Sequence, residues 1–128
     1  MIKAVHALIY SDDPEATRAF LRDLLEWPFV DDAGSEPGWL IFKSGPSEMG
    51  VHPTSDTYEG KTYSYPKHHS ISLMCDDVAA TKAELERKGA EFSGDPEDMG
   101  FGIGVTLKLR GAGDILLYQP KHAEAHSL

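Results

Sequence analysis

The stretch SISLMCDDVAATKAELERKG, residues 70–89, decides the fold, because the chain carries its pattern twice. The earlier copy is HALIYSDDPEATRAFLRDLL, residues 6–25. Each is a short alternating apolar run, then Asp-Asp, then an amphipathic helix signature. Asp12 and Asp13 match Asp76 and Asp77, Thr17 matches Thr81 and Ala19 matches Ala83, at a constant offset of 64 residues. Such repetition marks a unit that buries its apolar face only beside another copy.

The helices follow from spacing and caps. Ala16, Phe20 and Leu24, with Ala19, form the apolar stripe of the first. Asp13 stands before Pro14, an N-cap followed by proline at the first helical position. In the second, Val78, Thr81 and Leu85, with Ala79, carry the stripe, Asp77 caps the start and Gly89 closes the end.

Strand-like runs follow each helix: PFVDD, GWLIFKSG and EMGVHP in the first half, AEFSG, FGIGVTLKLRG and DILLYQP in the second. The expected order in each half is β-α-β-β-β. Module one spans about 1–53, a polar linker about 54–66, and module two about 67–121. Two such halves side by side make an α+β domain with a curved mixed sheet, an open cup, and helices on its outer face.

Composition narrows the function. With 128 residues the chain makes one domain able to bury a core without disulfides. The net charge of −9 and the lack of a Lys/Arg cluster argue against nucleic acid and anionic membranes as partners. The opening MIKAVHALIYSDD reads as neither membrane span nor signal peptide, and the single cysteine, Cys75, forms no internal disulfide. The expected compartment is the cytoplasm, and the expected partners are a small molecule and a second copy of the chain.

The two repeated segments and the closing GAGDILLYQP resemble the vicinal oxygen chelate superfamily, which includes glyoxalases, bleomycin-resistance proteins and extradiol dioxygenases. AFLRDLLEW is similar to that family's AFYRDVLGF. The resemblance covers most of the chain. It implies paired βαβββ modules around a cup, a homodimer, and, in the metalloenzymes, up to four ligands to a divalent metal from the first and last strands of each module. The fold hosts several chemistries, so it names none.

Those positions are tested one by one. The first-strand ligand position falls on His6, and the offset carries it to Ser70, not His69. A shift of one residue turns a strand side chain to the other face, although a β-bulge would restore His69. His69, Ile71, Leu73 and Cys75 make the helix-facing side, and Ser70, Ser72 and Met74 the cup side, with His68 near its rim. DILLYQP resembles the family's IELYQP, with Leu116 where that motif has its ligand glutamate. The second module thus lacks both ligands by resemblance.

In SEMGVHP the matching position is Glu48 or, aligned on the proline, Met49. In the first register Glu48 and His52 share a face, and with His6 they form one carboxylate and two imidazoles, a set suited to Fe, Mn, Ni or Zn. His6 as a lone cup histidine and Glu48 with His52 as strand-end polar residues are the simpler reading. Tyr10 and Tyr118 are candidate cup-lining residues or core aromatics. Trp39, Phe42 and Trp27 read as packing residues, and Cys75 as a buried structural thiol. DMGFGIGVTL has no following helix, so it is a lip before a strand and not a phosphate loop. The tail KHAEAHSL reads as incidental.

Three functions stay open. One is a small-molecule binder without the full four-ligand site, using Tyr10, Ser70, Ser72, Met74, Leu116 and Tyr118. A second is a metal-dependent lyase, isomerase or dioxygenase using His6, Glu48 and His52. The third is a metal-free catalyst with His6 or Glu48 as the acid or base.

Overall fold

The second repeat folds as its pattern predicts in a computed structural model that describes residues 4, 6–31 and 38–128. The elements are α1 (Pro14–Ala19, continued by a π-helical stretch Phe20–Leu24), β1 (Phe29–Asp31), β2 (Leu40–Phe42), β3 (Ser55–Tyr58), β4 (Lys61–Ser64), β5 (Ser72–Met74), α2 (Val78–Arg87), β6 (Phe92–Asp98), β7 (Gly102–Leu107) and β8 (Ile115–Pro120). Module two is therefore β5-α2-β6-β7-β8. Its sheet has the order β5-β8-β7-β6, with β5 parallel to β8 and the other pairs antiparallel. The fold is α+β with open sheets.

Both helices start as the caps dictate. The Asp13 carboxylate accepts from the Ala16 amide at 3.1 Å, and Asp77 from the Ala80 amide at 3.0 Å. Gly89 ends the second helix with φ +97°, a conformation that costs glycine little. The core joins Phe20, Leu21 and Leu24 to Val78, Leu85, Val105, Leu107, Leu109, Ile115 and Leu117. Two details depart from the expected stripes. Leu21 and Thr17 are buried beside Phe20 and Leu24, and Ala79 is exposed. The widening accompanies the π-helical stretch, where the Leu25 amide donates to Phe20 O at 3.2 Å and shifts the turn by a residue.

Thr17 is buried because it is an anchor. Its hydroxyl donates to Arg110 O at 2.5 Å and lies 2.7 Å from Ser11 Oγ. Ser11 Oγ in turn donates to Gly111 O at 2.6 Å, and the Asp12 amide reaches the same carbonyl at 2.7 Å. The start of α1 is thus pinned to the turn between β7 and β8 of the other repeat. Gly111 allows this approach, since a Cβ there would lie 2.5 Å from Asp13 O.

Module one differs from expectation at its two ends. β1 and β2 pair in the runs PFVDD and GWLIFKSG, with the Phe29 and Phe42 rings 5.7 Å apart. The first run is not a strand: residues 6–10 are irregular and exposed, and no described strand pairs with them. An alternating pattern supplies a face, but a strand needs a ladder partner for its amides and carbonyls. The run EMGVHP is also irregular and, apart from Glu48, exposed, which corrects the expected last strand. Pro53 offers no amide to continue a ladder. Instead the expected linker forms the hairpin β3-β4. Glu59 (φ 51°) and Gly60 (φ 75°) make its two-residue turn, both left-handed as such tight hairpins require.

Candidate functional site

The face of the module-two sheet turned away from the helices is set by strand pairing. Ser72 stands opposite Leu116 and Met74 opposite Tyr118, while Leu73 and Leu117 between them point into the core. Across β8, Leu116 pairs with Thr106 and Tyr118 with Gly104, and beyond these Glu97 pairs with Gly104. Laterally paired residues share a face. The open face therefore carries Ser72, Leu116 and Thr106 in one row and Met74, Tyr118, Gly104 and Glu97 in the next.

Gly104 makes a gap in the second row. A Cβ there would come within 2.8 Å of Met99 Sδ and 2.9 Å of Leu116 Cδ1, so both side chains lean into space that glycine leaves. Beside Met99 an open hollow of about 120 Å³ is lined by Ser93, Asp95, Glu97, Met99, Gly104 and Thr106, at the irregularity in β6 between Ser93 and Glu97. Phe101 stands edge-on to the Tyr118 ring at 5.3 Å. The expected lip, Met99 to Gly104, thus covers the floor with a thioether and a phenyl ring. Its carboxylate neighbour Asp98 pairs with Lys121 and accepts from the Gly100 amide, which holds its carboxyl below the usual range.

Tyr118 is the polar centre of this face. Its hydroxyl lies 3.0 Å from His122 Nε2. Partial burial, reinforced by the Glu48 and Glu124 carboxylates, pushes the phenol above its ordinary value, so Tyr118 is a neutral hydrogen-bonding group near neutral pH.

Glu48 stands apart from the other residues expected around a metal. Its carboxylate accepts from the Ala125 amide at 2.6 Å and the His126 amide at 3.2 Å, with His122 Nε2 at 3.9 Å. Those amide bonds to the ionised form hold its carboxyl below the usual range. His52 turns elsewhere, with Nδ1 2.7 Å from Pro53 O and its ring edge-on to Tyr65. His6 is exposed. Among the described residues no three His, Cys, Asp or Glu side chains stand together as metal ligands, so the expected gathering of His6, Glu48 and His52 is not formed. At the matching positions of module two, Leu116 has no donor atom, and Ser70 lies in an irregular exposed stretch. Among the described residues, the donors in this arrangement do not converge as a metal site.

The remaining candidates are dispersed. His68 bonds Pro66 O through Nδ1 at 2.8 Å, and His69 lies exposed before β5. Tyr10, 86% exposed, lines an open hollow of about 400 Å³ with Asp12, Gly111, Ala112 and Gly113. That hollow shares no residue with the Leu116–Tyr118 face, so Tyr10 is separated from the other expected lining residues. Trp39 packs under Arg18, whose guanidinium is 5.2 Å from its ring, and Phe42 lies against the core. The tail histidines are not incidental, since His122 and the His126 amide meet Tyr118 and Glu48. The sequence held no signal for the contact with Glu48, because Glu48 and Ala125 are 77 residues apart and belong to neither repeated segment.

Cys75 packs against the core with its thiol 3.6 Å from Tyr118 O. Burial, with Asp76 and Asp77 nearby, pushes the thiol up. Cys75 in the folded protein should therefore react with a disulfide reagent at neutral pH at least tenfold more slowly than after denaturation in urea.

A family model of the glyoxalase/bleomycin resistance protein/dioxygenase superfamily matches residues 3–116. The chain belongs to that superfamily. Solved members share the fold at low identity. An antibiotic-binding protein from Streptomyces sp. CB03234 is 19% identical with a TM-score of 0.55, over 94% of this chain and 100% of that one. A lactoylglutathione lyase from Agrobacterium tumefaciens is 18% identical with a TM-score of 0.58, over 92% and 94%. A superfamily member from Sphaerobacter thermophilus DSM 20745 is 18% identical with a TM-score of 0.55, over 92% and 98%. Comparison with curated proteins gave no match. Superfamily members bind small molecules, and no described helix of this one is long and apolar enough to cross a membrane.

Proposed function

We propose that this superfamily member binds a small apolar cation on the open face of its second module and does so without a metal. The observation that carries the reading is the juxtaposition of an apolar floor with fixed polar groups. Leu116, Met74, Met99 and Phe101 supply the apolar surface, and Ser72, Thr106 and the Tyr118 hydroxyl stand among them. Ligand sites generally combine these features. Glu97 at the edge and the net charge of −9 favour a cationic ligand over an anionic one.

Two further expectations belong to this reading. The chain works as a homodimer: β5 is one of the two edges of its sheet, and the apolar run at residues 6–10 is exposed, so both suit a second copy. It works in the cytoplasm, where a single reduced thiol is stable.

A thermal-shift screen against cationic apolar small molecules tests the function. A ligand present at about 100 times its dissociation constant stabilises the fold by about 2.7 kcal/mol, a readily measured rise in Tm. The rise should vanish in Leu116→Glu and shrink in Tyr118→Ala. Hits unaffected by both substitutions would move the binding site elsewhere. Near-stoichiometric Fe, Mn, Ni or Zn in protein purified without chelator, lost in His6→Ala, would replace this reading with the metal-dependent one.

A further inference from the structure

The last residues of the chain cross the polar end of the open face. β8 ends at Pro120, and the Lys121 amide still donates to Phe101 O at 2.8 Å, so the tail leaves the sheet directly beside the lip. The ion pair of Lys121 with Asp98 fixes this root. One residue on, the His122 ring is held at both nitrogens. Nδ1 donates to Ala123 O at 2.7 Å, and Nε2 lies 3.0 Å from the Tyr118 hydroxyl. The rings themselves lie 5.8 Å apart. Three residues later the Ala125 and His126 amides close on the Glu48 carboxylate.

Glu48 is suited to this task. Its side chain is only 16% exposed, although it sits in an otherwise exposed irregular stretch. Two amides from adjacent residues converge on one of its oxygens, an arrangement a carboxylate favours and a neutral side chain matches poorly. Among the described residues, the titratable groups facing it are two of the tail, His122 at 3.9 Å and His126, whose ring turns to Glu124 at 3.1 Å, and Tyr118 of β8. The tail therefore has a root at Lys121, a midpoint on Tyr118 and a buckle at Glu48.

We propose that residues 121–127 are a strap across the Tyr118 end of the open face, buckled by Glu48, and that the strap must lift before a solute reaches Tyr118. That the covered surface is a ligand site rests on the function proposed above, whereas the strap itself does not.

The buckle has a definite pH sense. Amide bonds to the ionised carboxylate hold Glu48 low, so the buckle is complete above the ordinary carboxylate range. It is lost as the pH falls through the lowered value.

Amide exchange and tyrosine nitration on the full chain test the proposal. In the wild type the Ala125 and His126 amides should be protected, and Glu48→Ala should speed their exchange at least tenfold while leaving the Leu107 amide unchanged. Their chemical shifts should move together as acid titrates Glu48, a step missing from Glu48→Gln. In a chain ending at Lys121, with Glu48 intact, tetranitromethane should nitrate Tyr118 several-fold faster than in the wild type, with Tyr10 as the unchanged internal reference. Tail amides exchanging at free-peptide rates in the wild type would overturn the strap, as would Tyr118 labelling indifferent to loss of the tail. Failure of the binding function reads out separately, as screen hits indifferent to Leu116→Glu.

Discussion

Gly111→Ala is expected to destabilise the protein by about 2–6 kcal/mol, a large share of the roughly 5–15 kcal/mol that holds a domain of this kind together. Two costs combine. Gly111 has φ +81°, where a side chain is strained by about 1–3 kcal/mol. The new Cβ would also lie 2.5 Å from Asp13 O, 2.7 Å from Ser11 Oγ and 2.9 Å from Thr17 Oγ1. The first of these is backbone and cannot swing aside, so overpacking adds about 1–3 kcal/mol. The relief open to the chain is to lift the start of α1, which breaks the bonds of Ser11 and Thr17 to residues 110 and 111. Urea denaturation followed by circular dichroism should show a fall in the midpoint with the slope nearly unchanged. Gly113→Ala, two residues away, meets no atom within 4 Å and should change stability by less than about 0.5 kcal/mol. Equal effects of the two would sink the argument.

Leu107→Ala should cost a similar amount for a different reason. Leu107 is 0% exposed and central in the cluster that joins both helices to the sheet. Removing its methyl groups forfeits their transfer energy and leaves a cavity, about 2–5 kcal/mol in all. Leu116 sits one strand over on the opposite face and is only half-buried. Leu116→Ala should therefore cost less than half as much while weakening ligand binding. The pair separates the two sides of one sheet: the first substitution lowers the thermal midpoint, the second lowers the ligand-induced rise. A larger stability loss at Leu116 would mean that the open face is packed and unavailable.

The second repeat was legible because its signals are local. Asp77, Gly89 and the alternation through Leu73, Val105 and Leu117 each act within a few residues, and the structure obeys them. The first repeat carries the same signals at Asp13 and in its apolar stripe, yet residues 6–10 form no strand. Alternation specifies which face would be buried and says nothing of whether a partner edge is present. The hairpin at residues 55–64 was hidden by composition, since its strands are polar and Glu59 occupies a left-handed position usually given to asparagine or glycine. At the candidate site, the period-two rule assigned Leu116 and Tyr118 to one face from sequence alone. The role of Glu48 was out of reach, because its partners are backbone amides, which every residue but proline carries and no side-chain pattern reveals.

The bond from Thr17 to Arg110 and the core shared by both copies couple the two repeats. Phe20, Leu21 and Leu24 of the first copy complete the hydrophobic core of the second, and the turn of the second holds the first in position. Each copy therefore draws part of its packing from the other. Unfolding should follow a single transition, and a chain cut between β4 and β5 should regain structure only when both fragments are mixed. A single transition would mark the repeated pattern as one folding unit, in which a substitution in either half is felt in the other.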